Sequence, residues 1–254
     1  MKNIWKVAWR DFRAYFTSPI AYIVTAGFMV IMGWMFFVYL SHFQVQNMQF
    51  QQYNMGKGTS ITEGIIRPLY GNMNVVLLLL VPFITMRLIA EEKKNHTIEL
   101  LMTAPLTLTE IILGKFLSGF LMLAVMIALT AIYPAVLFIT GNPDLGPILS
   151  NYLGTILLCS CYLSLGVLFS SMTENQIVAG ALSFAAGLFF WLISWATASA
   201  SSGWGEILSY LSLITHYNNF GQGIINSTDV FYFLSFIGVG LFLTHRVLDS
   251  YRWR

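Results

Sequence analysis

Gly56-Lys57-Gly58-Thr59 is the stretch whose residue types come nearest to a phosphate-binding loop. Such a loop holds phosphates on its backbone N–H groups and needs a glycine five residues before its Gly-Lys pair. Gln51 occupies that place and Gly58 follows the lysine, so no nucleotide site is expected. The four histidines, His42, His96, His216 and His245, are scattered without the spacing of metal ligands. His216 and Asp229 could share one surface as a base and its orienting acid, yet hydrolysis would require a nucleophile as well. Cys159 and Cys161 lie two apart in an apolar run, where a helix points them away from each other. They read as buried free thiols. The chain is therefore expected not to be an enzyme and to hold no metal or cofactor of its own.

The elements that carry these residues are mostly apolar. Of 254 residues, 57% are hydrophobic and 9% charged, against roughly 25% charged in a soluble domain. Most of the surface must face something other than water. Six stretches match the ~20 residues that cross a bilayer: about 20–40, 72–90, 116–140, 152–172, 177–199 and 230–247. The first is too long for the apolar core of a signal peptide and is read as a retained span. Residues 1–18 are different. Trp5, Trp9, Phe12 and Phe16 form one helical stripe, with Lys6, Arg10 and Arg13 on the neighbouring face, the pattern of an amphipathic helix lying in the headgroup plane. Residues 41–70, rich in Gln, Asn and Gly, read as a loop, and Pro82 and Pro134 as kinks. The expected fold is all-α: one polytopic membrane domain over 19–254, preceded by the interfacial helix 1–18.

Orientation follows from the basic residues. Lys2, Lys6, Arg10, Arg13, Arg87, Lys93, Lys94, Lys115, Arg246, Arg252 and Arg254 fall on the side of the N-terminus, and only Lys57 and Arg67 on the other. Both termini are expected in the cytoplasm. The interiors of spans 1, 3, 4, 5 and 6 carry no Asp, Glu, Lys, Arg or His. Ion-coupled carriers usually keep ionisable groups at membrane depth, so any transport here would draw its energy from elsewhere.

The longest strongly charged stretch is 91–115. Within it, Asn95 or Thr97 can cap a short helix starting near Ile98, and Pro105 ends it. Ile98, Leu101 and Met102 form its apolar edge. On span 5, Ala179, Ser183 and Gly187 recur every fourth residue as a small-residue seam of the kind that lets membrane helices approach closely. Gly33 offers a second flat spot on span 1. These four residues read as a dimer interface, with a seam used within the subunit as the alternative.

Residues 90–105, Ala-Glu-Glu-Lys-Lys-Asn-His-Thr-Ile-Glu-Leu-Leu-Met-Thr-Ala-Pro, resemble the loop between spans 2 and 3 of the ABC type-2 exporter permeases. His96 stands where that pattern usually has glycine. Ile111, Leu113, Gly114, Lys115 and Phe116 continue the likeness, as do residues 11–20. Residues 211–223 and 246–254 resemble the branch that includes gliding-motility permeases. The resemblance implies a permease subunit of an ATP-driven exporter in a prokaryotic inner membrane. Its partners would be two copies of a separate ABC ATPase that bind ATP and magnesium, a second permease subunit, membrane lipid and an extracytoplasmic accessory subunit, with no nucleic acid. It further implies that 91–104 form a cytoplasmic coupling helix, whose ATPase contacts would come from Glu91, Glu92, Lys93, Thr97, Glu99, Leu100, Leu101, Met102 and Thr103. Residues 203–226 would form short re-entrant helices on the outer face. Two other functions fit the same spans: a membrane anchor for a cytoplasmic partner that moves no solute, and an ion-coupled carrier.

Overall fold

A computed structural model describes residues 2–52, 60–103, 105–141, 143–199 and 209–251. Gly56 to Thr59, Arg252 and Arg254 therefore lie outside the described residues, as do 203–208 of the expected re-entrant stretch. In chain order the helices are α1 (Lys2–Thr17), α2 (Pro19–Gln52), a π-helical turn (Thr62–Ile66) running into α3 (Arg67–Thr85), α4 (Ala90–Lys94) and α5 (Ile98–Thr103). They continue with α6 (Leu108–Leu129), α7 (Ile132–Thr140), α8 (Leu145–Met172), α9 (Gln176–Ser199), α10 (Leu213–Gly221) and α11 (Ser227–Tyr251). No strand occurs among the described residues. Six helical segments are long and apolar enough to cross a membrane, and the protein is an all-α polytopic membrane protein.

Helix α8, the fourth span, is the axis of the bundle. Its span is 72% buried, against 11% for the first and 22% for the fifth and sixth. Its sequence explains this. Gly154, Gly166 and a series of serines and threonines remove bulk, so neighbours come close on several sides. A Cβ on Gly166 would lie 2.3 Å from Thr85 Oγ1 on α3, and one on Gly154 would lie 2.6 Å from Phe220 Cβ on α10. The hydroxyls of Ser160, Ser164 and Ser171 bond to carbonyls of the preceding turn, which satisfies them without a partner helix. Cys159 and Cys161 are buried free thiols here, as expected.

Several boundaries differ from the sequence reading. The loop expected over 41–70 is mostly helix: α2 continues to Gln52, and the next helical turn starts at Thr62. At 1.5 Å per residue its 34 residues reach about 50 Å, well beyond the hydrocarbon. Hydropathy alone stops at Leu40, but Gln and Met are good helix formers, and Phe43 packs into the space beside Gly64. The third span starts at Leu108, closed by a capping box in which Thr107 and Glu110 exchange hydrogen bonds. It breaks at Thr130–Ala131 before Pro134, whose missing N–H leaves the Thr130 carbonyl to Tyr133. The fourth span begins at Leu145 rather than 152.

Helix α1 buries Val7 and Ala8 while Trp5 and Trp9 stay exposed. Gly114 on α6 gives Val7 its place, since a Cβ there would lie 2.7 Å from Val7 Cγ1. The aromatic stripe packs on itself, with Trp5 stacked on Trp9 and Trp9 on Phe12, and Phe16 edge-on to both Phe12 and Tyr22 of α2. One face of α1 is thus packed on protein and the other is free to lie among headgroups.

Candidate functional site

Between α3 and α6 the chain turns through α4 and α5 at the end of the bundle that carries α1. The turn after α3 leaves backbone donors without helical partners. Ser170 on α8 supplies them: its Oγ accepts from the N–H groups of Ile89 and Ala90, each at 3.0 Å, and donates to the Met86 carbonyl at 3.3 Å. One hydroxyl thereby pins the start of α4 to the central helix.

The ionic contacts of α4 do the same for three other elements. Lys115 of α6 is buried, and its ammonium meets Glu92 at 2.7 Å, Asp11 at 3.2 Å and the Leu88 carbonyl at 2.5 Å. It donates hydrogen bonds to Asp11 and Leu88, and Glu92 adds an ion pair. Arg10 bridges Asp11 at 2.8 Å and Glu92 at 3.1 Å. Partial burial opposes the guanidinium's charge, but the bond to Asp11 and the nearby Glu92 outweigh it and raise the Arg10 pKa. Lys93 donates to the Ser171 carbonyl at 2.5 Å and sits 3.7 Å over the ring of Tyr251, at the end of α11. The Tyr251 hydroxyl donates to Glu174 at 2.9 Å.

Helix α4 closes with a Schellman motif. Thr97 N–H bonds to the Glu92 carbonyl and His96 N–H to that of Lys93, the paired 6→1 and 5→2 pattern that needs a left-handed residue between them. His96 is that residue, with φ +56°. The turn is kept although glycine, which adopts this conformation without strain, is absent.

Beyond His96 the packing changes. In α5, Ile98 is buried and Leu101 half-buried, while Glu99, Leu100 and Thr103 are exposed, Leu100 at 72%. Thr97 and Thr103 are exposed and bond only to backbone carbonyls nearby. The side chain of Met102 lies outside the described residues. The expected contact set is therefore split. Glu92 and Lys93 serve the subunit's own packing, and Glu91 is half-buried, whereas Glu99, Leu100 and Thr103 face outward. Sequence reading missed the Lys115–Glu92–Asp11 cluster. The available signal was a lone lysine inside the apolar run that follows Thr107, a residue that requires a partner.

The four residues expected at a dimer interface have the following surroundings within the chain. Ala179 and Ser183 are buried within the chain. A Cβ on Gly187 would lie 2.7 Å from Leu78 Cδ1, and one on Gly33 3.5 Å from the Tyr133 hydroxyl. At Gly187 α9 comes close to α3, where a small residue permits the short approach.

At the other end, α10 re-enters the bundle. Ser150 donates to the Phe220 carbonyl and Tyr217 to Asn151, both at 3.0 Å. His216 and Asp229 do meet, Nδ1 to Oδ1 at 2.6 Å, but they are buried. His216 Nε2 lies 3.0 Å from the Tyr210 carbonyl, and Asn219 donates to Asp229 at 2.8 Å. The imidazole stacks on Tyr232 at 4.0 Å. Asp229 ties α11 to both His216 and Asn219 of α10, and Tyr210 takes the other imidazole nitrogen, so the pair reads as a structural clasp rather than a reactive centre.

The family model described as ABC-2 family transporter protein matches residues 5–245. The chain belongs to the ABC-2 transporter family. No curated protein sequence matches it. It is thus the membrane-spanning permease component of an ABC transporter, a component that is not itself catalytic and whose family implies association with an ABC ATPase.

Proposed function

We propose that this permease is driven by a separate ABC ATPase docking on α5, and that α4 passes the motion to the spans. The observation that carries the reading is the contrast within one loop. Leu100 is exposed on α5, while the adjoining α4 is tied to α1, α6, α8 and α11 through Glu92, Lys93 and Ser170. An apolar residue flanked by Glu99 suits a groove with a basic rim, and a rigidly held α4 would carry displacement into the third, fourth and sixth spans.

The excess of Lys and Arg at the α1 end supports a cytoplasmic location for that end and for both termini. Export is the direction favoured by the resemblance of residues 90–105 to exporter permeases, and stretches 211–223 and 246–254 support the gliding-motility-like branch. A prokaryotic inner membrane, two ATPase copies with their ATP and magnesium, and an extracytoplasmic accessory subunit belong to the same reading. A second permease subunit would meet the outward faces of the first and fifth spans, where Trp34, Phe37, Phe189 and Trp195 are exposed. The test is co-purification of the ATPase with the permease, followed by ATPase assays in vesicles. Leu100→Asp should release the ATPase, and Glu92→Gln should retain it while lowering stimulated hydrolysis. Full binding and full stimulation in Leu100→Asp would refute docking at α5.

A further inference from the structure

A cavity of about 380 Å³ opens between α1, the start of α2, the end of α3 and α4. Its size is that of small-molecule sites, ~300–1,000 Å³. The lining has two parts. Ile20, Ala21 and Val24 from the first turns of the first span and Phe83 from the last turns of the second give an apolar wall. Arg87 and Glu91, beyond the end of α3, give a charged one. The other charges at this end of the cavity, Asp11, Glu92 and Lys115, neutralise one another and Arg10. Arg87 and Glu91 differ: among the described residues neither has an ion-pair partner, and Arg87 Nε is buried without a hydrogen bond. A buried guanidinium donor left unmatched is costly, and it points to an anion supplied from outside the chain.

We propose that this cavity binds one phospholipid, with the phosphate on Arg87, an ammonium-bearing headgroup on Glu91, and an acyl chain along Ile20, Ala21, Val24 and Phe83. The shared chemistry is a phosphate monoanion, and the apolar wall selects a lipid over free phosphate. A zwitterionic head satisfies both charged side chains, whereas an anionic head leaves Glu91 facing negative charge. The lipid would sit against the first turn of α4.

Native mass spectrometry of the delipidated full-length chain tests this, with phosphatidylethanolamine, phosphatidylglycerol or inorganic phosphate added. The wild type should retain one lipid per chain, phosphatidylethanolamine more tightly than phosphatidylglycerol, and no free phosphate. Arg87→Gln should weaken lipid retention about tenfold or more, as expected for loss of a charge-assisted hydrogen bond, and Arg87→Lys should keep part of it. Ala21→Leu should block the apolar wall with the charges intact and also lower retention. Glu91→Gln should abolish the preference between the two headgroups. Lys94→Gln, on an exposed residue of the same helix, should behave as wild type. Equal lipid retention by wild type, Arg87→Gln and Lys94→Gln would overturn the proposal. Retention of free phosphate as tight as that of lipid would overturn the acyl-chain half of it.

Discussion

The two ends of the bundle use the same parts to opposite effect. Each has a short helix closed by a Schellman motif: α4 through His96, and α10 through Gly223, where Ile224 N–H bonds to the Asn219 carbonyl and Gly223 N–H to that of Phe220. Each has a buried polar cluster, Lys115 with Glu92 and Asp11 at one end, His216 with Asp229 at the other. At the α10 end the cluster joins neighbours in sequence and fastens the short helix α10 to the span that follows it. At the α4 end the cluster joins residues 82 and 104 positions apart, and the next helix, α5, is left facing outward. Similar motifs thus make a clasp where their partners are local and, on the proposed coupling role, a lever where their partners lie on several spans.

The largest expected effect is at the lever. Lys115→Met should leave Asp11 and Glu92 facing each other without their buried cation, and removing one partner of a buried pair costs ~3–5 kcal/mol. Thermal unfolding in detergent should show the loss, and protease accessibility should rise at 90–103. If accessibility there is unchanged, the cluster does not hold α4. Overpacking the axis comes next. Gly166→Val would push Thr85 away, and such intrusions cost ~1–3 kcal/mol, read as a lowered unfolding temperature; an unchanged value would mean that α3 and α8 are not locked at this point.

Asp229→Asn should cost ~1–3 kcal/mol, since its single amide oxygen can replace only one of the two carboxylate oxygens that meet His216 and Asn219. Combined with Lys115→Met, its effect should add to within ~0.5 kcal/mol, because the two clusters share no partners. A larger coupling energy would show that the two ends communicate through α8, and would break the distinction between clasp and lever. The smallest effects are at the caps. His96→Gly should stabilise by ~1 kcal/mol and Gly223→Ala should destabilise by about the same, because a side chain in the left-handed region costs ~1–2 kcal/mol. Opposite signs in matched unfolding experiments would support the paired motifs; equal signs would refute them.

What the sequence determined by itself was the part governed by local pattern. Six apolar runs, the amphipathic stripe from Trp5 to Phe16, and the stop at Pro105 are set by hydropathy, helical period and backbone stereochemistry, and each acts over a few residues. The membrane domain, the α1 helix and the short α5 helix were legible for that reason. Helix ends beyond the hydrocarbon were not, because residues 41–52 are polar yet helical and gain their packing from Phe43 against Gly64. Tertiary structure alone decided the direction each side chain faces. Ala179, Ser183 and Gly187 look the same in sequence whether they meet a second subunit or α3 and α8. Glu92 and Glu99 are both acidic residues of one loop, yet one faces Lys115 and the other the outside. That choice is made when α6 and α1 place a buried ammonium beside Glu92, an event between residues far apart in sequence that no local pattern encodes.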